Sequence, residues 1–169
     1  MARVSADLSN VEQIKPIPKD NYKAHIDAFE LKDSKGGNPM VVNSWMIDEG
    51  PYSGRKINYD TIVLSGTDKN GNPINPFRLG QLLSAAKIPW NCLNCNRGDK
   101  VQELEFSDGS GGKQKGKYYC PDCDAPMKVD FDTDHLQGAR CVISVSVEPD
   151  DKGNEWNRIV GYADIGILD

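Results

Sequence analysis

From residue 21 to residue 32, apolar and polar side chains alternate: Tyr22, Ala24, Ile26 and Ala28 against Lys23, His25 and Asp27. A period of two predicts a strand with one face in a core. The phase breaks at Phe29, which predicts a bulge or strong coiling. Residues 33–38 read as a turn containing Gly36 and Gly37. A second strand follows over 40–47, with Val41, Trp45 and Ile47 on one face and Met40, Val42, Ser44 and Met46 on the other. Apolar residues on both faces predict that the second face is covered or binds something. A third strand is predicted over 55–64. The period then changes: Phe77, Leu79, Leu82, Leu83 and Ala86 form a helical stripe within 75–88, with Asn75 as cap, Pro76 in the first turn and Pro89 as stop. Residues 139–148 alternate β-branched side chains with Ser144 and Ser146, and after a turn at 149–154 a last strand is predicted over 156–163.

Three strands, a helix, a polar stretch and two strands make the element order of a five-stranded OB-fold barrel, mainly β, with its helix between the third and fourth strands. Trp45 and Phe77 are expected to point into its core. The barrel is expected to be discontinuous, over 19–90 and 125–169. Residues 91–124 form an inserted zinc-ribbon module, and residues 1–18, with Pro16 and Pro18, an extended arm along the domain edge.

Composition narrows the classes. No apolar run of about 18 residues is present, so no membrane span is expected. No signal peptide is visible at the start, which points to the cytoplasm and reduced thiols. The net charge is -5, and it is uneven: residues 1–90 hold 11 basic against 10 acidic side chains, residues 91–169 hold 9 against 15. A polyanion site must therefore be a local patch.

Four of the five cysteines form two knuckles, Cys92-Leu-Asn-Cys95 and Cys120-Pro-Asp-Cys123, 24 residues apart. Two such pairs predict one structural Zn2+ held by four thiolates, with no coordination position left for catalysis. Cys141, alone in an apolar strand, is expected to be a buried core thiol. His135 is an alternative ligand. Asp130, Asp132 and Asp134, at period two, are expected on one strand face, where they would suit a divalent metal as in nucleases. No nucleophile motif, phosphate loop or zinc-protease motif is present, so a binding role outranks an enzymatic one.

Binding single strands requires aromatic faces for stacking and scattered cations for phosphates. The candidates are Tyr52, Arg55, Lys56, Tyr59, Lys23, Lys35, Trp156 and Arg158, with Lys113, Lys115 and Lys117 at the tip of the cysteine module.

Several short stretches occur in an order that resembles a known family: Asp7-Leu-Ser-Asn10, Pro18-x3-Tyr22-Lys-Ala24, Lys35-Gly-Gly-Asn38-Pro-Met40, Gly54-Arg-Lys56 and Arg158-x2-Gly161-Tyr162. They resemble a bacteriophage family, long catalogued as of unknown function and regarded as OB-type single-stranded-DNA-binding proteins, over roughly 7–88 and 136–165. The resemblance implies a non-enzymatic role on single-stranded DNA in phage replication or recombination, in the host cytoplasm, with replication or recombination proteins as partners. The cysteine module departs from the plain family pattern, and no long acidic tail is present. A homodimer, a protein-docking role for the zinc ribbon and a nuclease using Asp130–Asp134 remain alternatives.

Overall fold

The computed structural model describes residues 2–9, 15–71, 77–96, 105–126 and 128–168. Five long strands, β1 (Asp20–Asp33), β2 (Pro39–Ile47), β3 (Lys56–Val63), β8 (Arg140–Pro149) and β9 (Glu155–Ala163), form one antiparallel sheet in the order β3-β2-β1-β8-β9. The helix α1 (Phe77–Ala85) lies between β3 and β8 in sequence. Asn75 and Pro76, its expected start, lie outside the described residues. Four two-residue strands belong to the cysteine region: β4 (Asn91–Cys92) pairs with β7 (Val129–Asp130), and β5 (Glu105–Phe106) with β6 (Tyr118–Tyr119).

The alternation in β1 does what its phase break predicts. A register shift between Ile26 and Ala28 interrupts the ladder with β2, which runs over Ala24–Asp33, while β1 pairs with β8 over Asp20–His25. In β2 the inward face is Val41, Asn43, Trp45 and Ile47, all buried, and the opposite face is half-buried throughout. Cys141 is fully buried. Burial and then the Asp60 carboxylate push its thiol far up, so it is an inert core group.

The sheet curls but does not close, which corrects the expected closed barrel. Among the described residues no ladder joins β3 to β9. The two edges are tied by side chains instead. Arg78, from the first turn of α1, donates through Nη1 to the carbonyl of Thr61 at 3.1 Å and through Nη2 to the carbonyl of Ile159 at 3.0 Å. Its Nη2 also reaches Asp60 Oδ1 at 2.6 Å. Asp60 Oδ2 accepts from Trp45 Nε1 at 2.8 Å and from the Tyr162 hydroxyl at 2.5 Å. Trp45 stacks on Tyr162 with centroids 5.8 Å apart. Burial, reinforced by Asp60, holds the Tyr162 phenol protonated well above its ordinary range, which keeps it a donor.

The arm supplies a second tie. Ile17 is buried, and its N–H and C=O both bond to the side-chain amide of Asn157 on β9, at 2.9 Å each. Arg55, just before β3, donates to the carbonyl of Lys15 at 2.6 Å. The arm thus crosses one end of the gap, and Arg78 spans the other.

A buried carboxylate with three donors loses far more than one bond when it is removed. Asp60→Ala leaves Arg78, Trp45 and Tyr162 with unmatched donors, and is expected to destabilise the fold by about 3–5 kcal/mol. Urea unfolding measures this, and a loss below about 1 kcal/mol, as for a surface pair, would show that the network does not hold the sheet.

Candidate metal centre and nucleic-acid interface

Each knuckle has the same local build. The N–H of Asn96 bonds to the carbonyl of Cys92, and that of Asp124 to the carbonyl of Cys120, both at 2.8 Å. Asn96 and Asp124 take left-handed backbones, φ 50° and 54°, which Asn and Asp tolerate better than most residues. The equivalent turns bring all four Sγ atoms within 4.8 Å of one another. Cys92 lies 3.8 Å from Cys123, and Cys95 lies 3.8 Å from Cys120. Four sulfurs in a tetrahedron around a centre ~2.3 Å away lie about 3.8 Å apart. The cluster therefore fits a tetrahedral metal ion.

His135 takes no part in this cluster. It is exposed in the 3-10 turn Thr133–Leu136. The three aspartates do not share a strand face either. Asp130 ends β7, whereas Asp132 caps the 3-10 turn and accepts from the Asp134 N–H at 2.9 Å. The chain bends where the period-two reading required it to run straight. Among the described residues, only the cysteines form a group able to hold a metal.

The cysteine region packs against the core of the sheet. Cys92 and Cys120 are fully buried and belong to the same core cluster as Trp90, Leu136 and the inward faces of the sheet. Phe77, expected in the core, instead faces this region and is 39% exposed. It packs on Phe106 and Tyr118 at 5.1 and 5.9 Å, and those two rings lie 5.1 Å apart. Burial pushes the Tyr118 phenol to about 12. Gly80 makes the docking possible, because a Cβ there would meet the Tyr118 ring at 2.4 Å.

The predicted binding residues separate into groups. Lys113 is committed: it pairs with Glu105 and with Asp124, the latter at 2.9 Å, and lies 5.1 Å from the Tyr119 ring centroid. The Glu105 and then the Asp124 carboxylates raise its pKa strongly, so it braces the module rather than offering a spare charge. Lys115 and Lys117 are exposed near it, and Lys35 is exposed in the β1–β2 turn. Lys23 pairs with Glu49 at 3.2 Å. Tyr52 is less available than its turn position suggests, because its ring packs edge-on against Tyr22 at 6.1 Å.

The others converge on the gap between β3 and β9. Two adjoining clefts of about 270 and 260 Å³ share Ile57, Asn58, Tyr59, Trp156 and Asn157. Tyr59 on β3 and Trp156 on β9 are the exposed aromatics of this lining, 79% and 42% accessible. Five cations line the clefts, Lys15, Arg55, Lys56, Arg78 and Arg158, against two carboxylates, Asp60 and Glu155. Lys56 pairs with Asp27 at 3.0 Å, and Arg158 with Glu148 at 3.4 Å, both with half-exposed cationic side chains. The lining residues alone balance at +3, and with the Asp27 and Glu148 carboxylates that pair with two of those cations the balance is +1, in a chain of net charge -5.

Sequence pattern missed Lys15 and the bracing role of Arg78. The available sign was Asp60 itself, a charge inside an otherwise apolar inward run.

The described residues thus define a mainly β protein, with one helix, a five-stranded sheet and a four-cysteine centre able to hold a metal ion. Residues 4–97 match the family described as "Protein of unknown function (DUF669)", more than half of the chain, and the protein belongs to that family. The match takes in the arm, β1 to β3, α1 and the first knuckle, and ends before the second knuckle, β8 and β9. No curated protein matches the chain. No helix among the described residues is long and apolar enough to cross a membrane.

In an ordinary helix, Gly→Ala stabilises by about 1 kcal/mol. At Gly80 the sign is expected to reverse, because the new methyl collides with the Tyr118 ring. Gly80→Ala should lower the thermal midpoint, and a raised midpoint would show that the cysteine region does not pack on α1 as described.

Proposed function

We propose that this protein binds single-stranded DNA, without enzymatic activity, through the cleft between β3 and β9. The observation that carries this reading is the cleft lining: two exposed aromatic rings and a cationic balance, on a protein that is acidic overall. Aromatic faces suit unpaired bases and scattered cations suit phosphates, whereas a duplex hides its base faces. The strand order supports an OB-type sheet, in which β3 and β9 are the edges that a closed barrel would join. The resemblance to phage single-strand binders supports a setting in replication or recombination.

We assign the four-cysteine centre to one zinc ion, held by Cys92, Cys95, Cys120 and Cys123. Zinc with four thiolates has no open coordination position, so its contribution is to folding. The residues around it do the rest: the Phe77, Phe106 and Tyr118 rings fix the module on α1, and the bond from Lys113 to Asp124 holds its second knuckle. The docking alternative draws support from the exposed Lys115 and Lys117, but the larger cationic and aromatic lining lies elsewhere.

Titration of labelled oligonucleotides is expected to show binding to single strands over duplex, with a log–log salt slope of about -0.7 per phosphate contacted. Trp156→Ala should weaken binding about 5- to 150-fold, the equivalent of one lost stack, whereas Lys113→Ala should leave it within about twofold, as a residue outside the ligand path does. Absence of single-strand binding at low salt would refute the reading.

Native protein is expected to carry one zinc per chain by elemental analysis. Stripping it should lower the thermal midpoint by more than about 10 °C, since a structural zinc contributes several kcal/mol to folding. Protein that is metal-free and equally stable would overturn the zinc assignment.

A further inference from the structure

The bulge in β3 sets Tyr59 apart from every other aromatic side chain at the cleft. Across β2 and β3, Asn43 faces Asp60 and Trp45 faces Ile57, so Asn58 and Tyr59 together oppose Ser44. The extra residue is absorbed by a left-handed backbone at Tyr59, φ 64°. Glycine, or failing that asparagine, suits such a position, and a bulky side chain there destabilises the fold. The ring returns nothing to the fold. It is 79% exposed, and among the described residues it meets no other ring and its hydroxyl makes no hydrogen bond. A residue that strains the backbone and packs on nothing has its use outside the folded chain.

The polar groups of the cleft complete the picture. Both Asp60 oxygens are taken by Arg78, Trp45 and Tyr162. The Arg78 terminal nitrogens are spent on Thr61, Asp60, Ile159 and Tyr162. The Asn157 amide holds Ile17 from both sides. A ligand therefore meets ring faces and a cationic rim, and of the amide side chains in the lining only the exposed Asn58 is left to read a base edge. Faces are common to all bases, whereas edges distinguish them.

We propose that Tyr59 is kept in its strained conformation as a stacking platform for unpaired bases, and that the cleft therefore binds single strands with little preference among bases. This rests on the single-strand reading above. The fold is less stable than it would be with glycine at this position.

The test compares wild type, Tyr59→Gly and Tyr59→Ala in thermal unfolding and in titrations with dT, dA and dC oligonucleotides of equal length. Glycine removes both ring and strain, whereas alanine removes the ring and keeps the strain. Tyr59→Gly is expected to raise Tm by about 2–4 °C and Tyr59→Ala to leave it unraised. Both should bind at least about fivefold more weakly, and the three wild-type affinities should agree within about tenfold, as stacking allows. A Tm for Tyr59→Gly at or below that of wild type would overturn the proposal. So would a preference above about 100-fold for one base, the mark of edge readout. If wild type binds and neither variant weakens, this assignment fails and the single-strand reading stands. If wild type binds no single strand, both fail together.

Discussion

The Asp60 carboxylate lies in the interior with donors from three separate elements on its two oxygens: Arg78 of α1, Trp45 of β2 and Tyr162 of β9. An open five-stranded sheet has two edges, each with backbone groups that need partners or water. Here the problem is met by one ionic group at the seam. Arg78 satisfies a carbonyl on each edge, and Asp60 both neutralises the guanidinium and aims it. A buried charge of this kind is tolerable only when it is paired and fully hydrogen-bonded. The same ties that hold the edges together keep them from zipping, and the cleft is what remains between them.

The cysteine centre connects to this seam through adjacent residues. Phe77 belongs to the aromatic cluster that seats the module, and Arg78, its neighbour in sequence, reaches the seam. Cys92 and Cys120 lie in the common core. The first turn of α1 is therefore fixed from two sides, by rings on the module and by the carboxylate in the sheet. A metal ion held by four cysteines would contribute to the cleft through the placement of α1, with no contact to a ligand. On this account the module is a brace of the fold, and its lysines are peripheral to binding.

Much of this was legible in the residues. Alternation placed all five long strands to within about two residues at their ends, the usual uncertainty of such boundaries, and the phase break at Phe29 signalled the bulge in β1. The two knuckles declared the cysteine cluster through spacing alone. What stayed hidden depended on contacts between segments distant in sequence. The helical stripe places Phe77 with the core residues, but an aromatic partner from the module claims it. Period two put Asp130, Asp132 and Asp134 on one face, yet a local bond from the Asp134 N–H to Asp132 turns the chain. The bulge at Tyr59 was hidden, since Ile57, Tyr59, Thr61 and Val63 read as one regular face, whereas the folded strand buries Ile57, Asp60 and Ile62 together. Nothing in composition distinguishes a lysine that braces a loop, such as Lys113, from one that is available to a phosphate.

The central claim is the location of the binding site at the β3–β9 cleft. The most direct measurement is ultraviolet crosslinking of the full chain to a single-stranded oligonucleotide carrying iodinated deoxyuridine, with the linked residues identified by mass spectrometry. The account predicts crosslinks at Tyr59 and Trp156. Crosslinks confined to the tip of the cysteine module, around Lys115 and Lys117, or to the outer face of β2 around Met46, would contradict it.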